Sequence, residues 1–266
     1  MWMEVSIETV HVCSNSGIIN MSDSQILKKL TPSPVRKYLR KLRDNKVAAE
    51  FSGLSNAEVF EKIYEEKRWG HSNTNVRKYS SGDGTRDREI VEEYVDAVTF
   101  FLSKNPELKS GLDLGCGDFS VGVEFCDLFQ DYCAMDVAKN VIKENKDFYK
   151  SKNVKFSTLD LTSGKIPRAD VIFVRQVLQH LSNTEIKKFV KNIEGKFQHL
   201  IVTESLSKSL FFRPNKDINT GPGIRIHKKS GVMLEKEPFN LKFAKLEVIM
   251  EAAKGGELFV TKIYSV

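Results

Sequence analysis

The chain has 266 residues, 41% of them hydrophobic and 29% charged, with a formal net charge of +6. That length suits one sizeable α/β domain plus an extension and is short for two full domains. No run reaches the roughly 18–20 apolar residues of a membrane-spanning helix. The first twenty residues carry Glu4 and Glu8 without a basic leader, so a secretory signal is not expected there, and Met21 is the expected alternative start.

Residues 1–50 read as a basic lead-in. Between Lys28 and Lys46, eight basic residues (Lys28, Lys29, Arg36, Lys37, Arg40, Lys41, Arg43 and Lys46) stand against one acid, Asp44, so this segment alone carries +7 and the rest of the chain about −1. This distribution weakens a nucleic-acid reading of the basic isoelectric point. Within TPSPVRKYLRKLRDN, Val35, Leu39 and Leu42 recur at helical spacing among cations. Two readings stand for residues 28–46: a solvated helix packed by one apolar edge, and a contact with an anionic membrane surface or acidic polymer.

Residues 51–105 read as a helical cap with one interruption. AEVFEKIYEEKRWG sets Val59, Ile63 and Tyr64 on one side and stops at Gly70. The glycine-bearing turn SSGDGT follows, with Thr85 as the expected N-cap of a helix marked by Ile90, Tyr94, Val98 and Phe101. Arg88 stands three residues on, so no capping box is expected.

In residues 106–266 strands and helices alternate. Strands are expected at 111–114, 132–136, 153–158, 170–174 and 199–204, with amphipathic helices such as TEIKKFVKNI between them. The alternation predicts a mostly parallel sheet with helices on both faces. KLEVIMEA and ELFVTKIYSV flank AKGGE and predict a closing antiparallel hairpin. The segment from Leu206 to Leu241 interrupts the pattern. Loops at a strand-end rim shape substrate sites, which makes Arg213, Asp217, Thr220, Arg225 and His227 polar candidates, Asp217 first among them.

The chemistry is carried by GLDLGCGDFSVG, residues 111–122. Gly115 and Gly117 follow a strand that ends in Asp113-Leu114, where glycines let the backbone turn tightly and approach a ligand. Asp136 stands at the tip of the second strand, where an acid receives a ribose diol, and Asp160 follows the third. A dinucleotide site would want a third glycine and room for a pyrophosphate. Asp118 and Phe119 stand there instead, and Asp118 suits a ligand carrying an ammonium or sulfonium group. With the terminal hairpin, this favours S-adenosylmethionine over NAD.

The run from about residue 110 to 266 resembles the class I S-adenosylmethionine-dependent methyltransferases, whose glycine motif reads D-x-G-x-G: DLGCG, Asp136, Asp160 and the hairpin agree in order. The resemblance implies a Rossmann-like seven-stranded sheet, mostly parallel, with its last strand antiparallel. It also implies S-adenosyl-L-methionine as cofactor, with Asp113, Gly115, Cys116, Gly117 and Asp118 around the methionine end, Asp136 on the ribose hydroxyls and Asp160 near the adenine, Val137 and Leu161 beside them. A narrower likeness, on RWG, SSGDGT, CGDF, VRQVLQHLS, NKDINTG and PFNL, is to a bacterial subgroup associated with polysaccharide or small-metabolite pathways. That subgroup has a proline in the SSGDGT turn and an acid after the strand-four arginine. Asp83 and Gln176 stand at those positions here, so no acid/base role is expected of position 176.

Arg175 and His180 fall just after the fourth strand, on the ligand side. His180 is the candidate general base, since an ordinary imidazole with a pKa near 6.5 suits proton removal at neutral pH; positioning and purely structural roles are its alternatives. Arg175 is expected to orient substrate or cofactor. Ser81 and Gly82, in the stretch Ser80 to Thr85, are expected to form a backbone nest for the methionine carboxylate under a Trp69 lid, against a plain turn and a core tryptophan. Cys13, Cys116, Cys126 and Cys133 form no CxxC pair, so reduced thiols and no metal site are expected. The expected activity is O-methylation of a sugar, glycan or small metabolite. RNA methylation through residues 28–46 and a non-catalytic protein that kept the fold are the alternatives. The expected compartment is the cytoplasm, with peripheral contact at the inner membrane face as a further alternative.

Overall fold

The structure is a computed structural model that describes residues 13–14, 17–18, 33–70, 77–82 and 87–266. Met21, Lys28, Lys29, Asp83 and Thr85 lie outside the described residues. The chain divides into two compact units, Met1–Ser52 and Gly53–Val266. In the first, a two-residue antiparallel ladder joins Cys13–Ser14 to Gly17–Ile18, and helix α1 spans Ser33–Glu50. Pro34 sits in its first turn, where a missing N–H costs no helical bond. Val35, Tyr38, Leu39 and Leu42 are all exposed.

The second unit opens with α2, Asn56–Glu65, which starts at a capping box: Glu58 N–H donates to Ser55 Oγ, and Ser55 N–H donates to the Glu58 carboxylate at 2.8 Å. Its buried face is Val59, Phe60, Ile63 and Tyr64. Helix α3, Arg88–Lys104, buries Ile90, Tyr94 and Val98. Asp87 occupies its N-cap position and makes no side-chain cap bond, so the helix begins later than a cap at Thr85 predicts.

Seven strands follow: β1 Ser110–Leu114, β2 Asp131–Asp136, β3 Lys155–Thr158, β4 Val171–Arg175, β5 His199–Ser207, β6 Lys245–Lys254 and β7 Glu257–Ser265. They form one sheet in the order β3-β2-β1-β4-β5-β7-β6. The first five are mutually parallel, and β7 runs antiparallel to both β5 and β6. This is the Rossmann-like sheet with a closing hairpin. β5 runs three residues further than the sequence predicts, because Glu204 to Ser207 pair with Val260 to Glu257 of β7. The interleaved helices are the one-turn α4, Val123–Cys126, then α5, Lys139–Phe148, and α6, Asn183–Ile193.

The strands of the parallel part are buried runs such as VIFV, as expected of a sheet covered on both faces. Beneath the glycine loop the core is aromatic: Phe125 stacks on Phe173 at 5.6 Å, and Phe119, Phe129 and Tyr132 close around them. The strand order reverses between β1 and β4, and ligands of open α/β sheets bind at that point, beyond the carboxyl ends of the strands.

Candidate active site

The glycine loop hangs from the end of β2. Gly115 and Cys116 N–H both donate to the Met135 carbonyl oxygen, and Gly117 N–H donates to Asp136 Oδ2 at 3.0 Å. Gly115 and Gly117 have φ of +77° and +53°, a region that L side chains rarely adopt. A Cβ on Gly117 would lie 2.1 Å from Ser81 Oγ, and one on Gly115 would lie 2.4 Å from Val177 Cγ2. The two glycines therefore permit a close approach that any other residue would block.

Around this loop lies a cavity of about 1020 Å³, mouth included. Its lining includes Asp113, Gly115, Cys116, Gly117, Asp118, Asp136, Val137, Asp160, Leu161, Arg175, Trp69, Ser81 and His180. Residues from six separate stretches of sequence are thus gathered at one point. Gly82 is the exception among the predicted residues: it lies off the lining, packed beneath Trp69.

Each acid has its own setting. Asp136 is buried, accepts from Gly117 N–H and from Ala138 N–H at 2.9 Å, and is raised by burial against those bonds. Asp118 is fully engaged by the protein: Ser81 N–H donates to Oδ2 at 3.0 Å and Ser120 Oγ donates to Oδ1 at 2.7 Å, while Asp118 N–H donates to Ser81 Oγ. Asp160 accepts from Thr162 N–H at 2.8 Å and from the Asn56 amide at 3.1 Å, which ties α2 to the end of β3. Burial, with Asp136 nearby, pushes Asp113 up to about 7, and the Arg175 guanidinium partly offsets this.

Arg175 turns inward, its guanidinium over the Tyr94 ring at 5.1 Å. Burial lowers its pKa, and Tyr94 and Asp113 raise it. This placement makes the guanidinium an internal counter-charge for Asp113.

His180 sits on a 3-10 turn, Leu178–His180, directly after β4. Its Nδ1 lies 3.2 Å from the Gly223 carbonyl oxygen. A carbonyl only accepts, so Nδ1 carries the proton and Nε2 the lone pair. The ring packs on Trp69 at 4.7 Å, and Trp69 Nε1 donates to the Pro222 carbonyl oxygen at 3.3 Å. Burial, and secondarily the Arg225 charge, push His180 down to about 4, against the Gly223 bond. The argument from an ordinary pKa therefore does not hold: this imidazole is neutral at physiological pH.

The insert between β5 and β6 does a different job from the one expected of its polar residues. Asp217 accepts from Asn183 N–H at 2.7 Å and Thr220 Oγ accepts from Ser182 N–H at 3.0 Å, so both hold the start of α6. Arg225 is 1% exposed and bonds to the turn that carries His180. Arg213 and His227 are exposed.

Sequence reasoning passed over several residues that shape this site. Asn145, wholly buried on α5, donates to the Gly117 carbonyl oxygen at 2.8 Å. Arg77 donates to the Asp118 carbonyl oxygen and to Asn145 Oδ1, and pairs with Glu144 at 3.3 Å. Glu204, on β5 just past its last pairing with β4, accepts from Leu178 N–H at 2.9 Å and is raised by burial to about 8. Tyr64 edges against Trp69 at 5.2 Å. Asn145 and Glu204 carry only the signal of position, a polar residue on the inner side of an amphipathic helix and of an apolar strand, Tyr64 reads as part of an apolar helix face, and Arg77 lies in a loop and carries no signal.

The donor set decides what ligand fits. Four carboxylates line the cavity against one guanidinium, with His180 neutral. A pyrophosphate would meet that field unfavourably, whereas a ligand with an ammonium, a sulfonium and ribose hydroxyls would complete it. Fold and site together define an α/β methyltransferase of class I. Residues 112–196 match the sequence profile of a family described as a methyltransferase domain. The fold is similar to magnesium protoporphyrin IX methyltransferase from Synechocystis PCC 6803 with bound SAM, at 16% identity and a TM-score of 0.51, covering 80% of this chain and 99% of that one. It is similar to the N-methyltransferase NodS from Bradyrhizobium japonicum WM9 in complex with S-adenosyl-L-homocysteine, at 12% identity and 0.52, covering 79% and 99%. It also resembles the methyltransferase domain of bacterial CtHen1-C, at 17% identity and 0.50, covering 66% and 98%. No curated protein sequence matches the chain. The matched segment, a methyltransferase domain, runs from β1 through α6.

Proposed function

We propose that the protein methylates a hydroxyl oxygen of a small acceptor, a sugar, a glycan-linked unit or another small metabolite, held against the packed Trp69–His180 pair. The observation that carries this reading is the fixed tautomer of His180. With Nδ1–H committed to Gly223, the neutral ring offers Nε2 to accept a hydrogen bond from an acceptor hydroxyl. The closure of that side supports a small acceptor, because Trp69 is tied to Pro222 and His180 to the adjoining Gly223.

In this reading Asp136 takes the ribose hydroxyls, Asp160 and Leu161 flank the adenine, and Val137 lies beside the ribose. Asp113, Cys116 and the backbone of Gly115 and Gly117 receive the methionine end, with Arg175 balancing Asp113 from within. Asp118 acts through Ser81, holding residues 80–82 over the loop. When bound, S-adenosylmethionine supplies an electrophilic methyl on a leaving sulfonium, so the protein's contribution is orientation and removal of the acceptor proton. The exposed apolar edge of α1, set among cations, is assigned to an anionic surface.

Calorimetric titration with S-adenosylmethionine and S-adenosylhomocysteine, beside an Asp136→Ala variant and an NAD control, tests the cofactor assignment. Micromolar binding that the variant loses is the expected result, and no binding by folded protein would remove the reading. Labelled-methyl transfer into glycan, metabolite and RNA pools then tests the acceptor, with label in RNA alone counting against it.

A further inference from the structure

The insert carries a second surface that methyl transfer does not use. β5 continues four residues past Thr203, the partner of the last residue of β4. At about 3.3 Å per residue that is some 13 Å beyond the edge where the cofactor site lies. There the chain turns through Ser209-Leu210-Phe211-Phe212. The turn is braced: Lys208 N–H donates to the Gly256 carbonyl oxygen, Phe212 N–H to the Ser209 carbonyl oxygen at 2.9 Å, and Arg213 N–H to the Lys229 carbonyl oxygen. Yet Leu210 is 100% exposed and Phe211 73% exposed.

A braced turn that presents two large apolar side chains to water is a surface kept for a partner. Its surroundings identify the partner's charge. Lys208, Arg213, Lys228 and Lys229 are exposed around it, and Lys229 Nζ lies 4.8 Å over the Phe211 ring. From Leu206 to Gly231 the only acid is Asp217, which is taken up by the start of α6. Apolar tips within a ring of cations suit the boundary of an anionic bilayer, where the side chains enter the acyl region and the cations meet headgroups. An aliphatic leucine at the point of greatest exposure favours lipid over stacked bases.

We infer that the Lys208–Arg213 turn is a docking tip for an anionic lipid surface, so that methyl transfer takes place at a membrane. The inference stands on this turn alone and does not depend on the identity of the acceptor. It does not require the assignment of α1.

Co-sedimentation of the full chain with phosphatidylcholine vesicles, with and without phosphatidylglycerol, tests it. Binding is expected only with the anionic lipid and is expected to weaken at high salt. The Leu210→Ser/Phe211→Ser double variant, which removes no buried contact of the core, should lose at least about tenfold in vesicle affinity. Its titration with S-adenosylmethionine should be unchanged. A Phe211→Trp variant should shift its emission to the blue on anionic vesicles, as the indole enters the acyl boundary. Binding that survives the double variant but is lost when Val35, Leu39 and Leu42 become serine would assign attachment to α1 and overturn the inference. So would equal binding to neutral vesicles, absence of vesicle binding, or retention of the tip by an RNA oligomer alone.

Discussion

Arg225 holds the turn that carries His180. Its Nη1 donates to the carbonyl oxygens of Leu178 and Gln179 at 3.0 and 3.1 Å, and its Nη2 donates to that of Leu181 at 2.6 Å, on the two sides of the histidine. Nη2 also reaches Asn183 Oδ1 at 2.9 Å, and Nε reaches the Lys216 carbonyl oxygen at 3.0 Å. A planar fork with five N–H donors meets five oxygens, which no other side chain does. Glu204 completes the clamp by taking Leu178 N–H, and its charge raises Arg225 against the stronger lowering by burial.

Replacing this guanidinium leaves buried carbonyls without donors. Arg225→Leu is expected to cost about 3–5 kcal/mol of stability, and Arg225→Lys about 1–3, because an ammonium supplies fewer donors from one point. Urea unfolding of the two variants gives both values. A change under about 0.5 kcal/mol for Arg225→Leu would contradict the clamp.

Asp113 predicts a pH dependence of cofactor binding. With its pKa raised to about 7, the carboxyl is protonated below that value and ionised above it. A cationic ligand favours the ionised form, so affinity for S-adenosylmethionine should strengthen as pH rises toward about 7 and level off above it. Below the inflection the change approaches tenfold per pH unit if only the ionised form binds. S-adenosylhomocysteine lacks the sulfonium charge and should show a shallower slope. Asp113→Asn should bind more weakly and flatten both curves. Calorimetry across pH 6–8 reads all of this, and an unchanged slope in Asp113→Asn would remove the assignment.

How much of this was legible follows from where the information sits. The parallel strands announce themselves because they are buried on both faces and read as apolar runs, and the Gly255-Gly256 turn marks the hairpin. DLGCG and Asp136 were legible because a close backbone approach admits few residue types. The braces were not. Asn145, Arg77 and Glu204 look like ordinary polar residues of a helix, a loop and a strand, and their role appears only when Gly117, Asp118 and Leu178 arrive from distant segments. The state of His180 was hidden for the same reason: its burial and its Gly223 bond depend on an insert more than forty residues downstream. Asp217 misled in the opposite sense, since a lone loop acid looks functional until the helix it caps is in place.

Gly117 should be far less tolerant than a glycine of similar backbone elsewhere. Its φ of +53° costs an alanine about 1 kcal/mol or more, and the new Cβ would displace Ser81, which holds Asp118. Gly195 has a φ of +67° with nothing within 4 Å of an added Cβ, so Gly195→Ala bears only the backbone cost. Gly117→Ala is expected to lose about 2–3 kcal/mol and at least tenfold in S-adenosylmethionine affinity, while Gly195→Ala loses about 1 kcal/mol and binds normally. Thermal unfolding and calorimetry on the pair separate the two contributions. Equal losses in both would mean that the contact with Ser81 is unimportant.

His180 gives the sharpest test of the acceptor side. Because burial pushes its pKa down to about 4, the ring is neutral and its Nε2 free of a proton over the whole range above about pH 5. Methyl transfer at saturating cofactor should therefore show no inflection near 6.5, where an exposed histidine would titrate, and should fall only as the pH approaches about 4. The imidazole carbon resonances, followed by NMR against a His180→Gln spectrum, report the pKa without any acceptor. His180→Gln keeps a polar side chain but cannot take a proton, and because a ring with a pKa near 4 is a weak base, kcat should drop by about tenfold to a hundredfold while cofactor affinity changes less than about threefold. If His180 only packs against Trp69, His180→Gln would leave kcat nearly unchanged, and proton removal would have to be assigned elsewhere in the cavity.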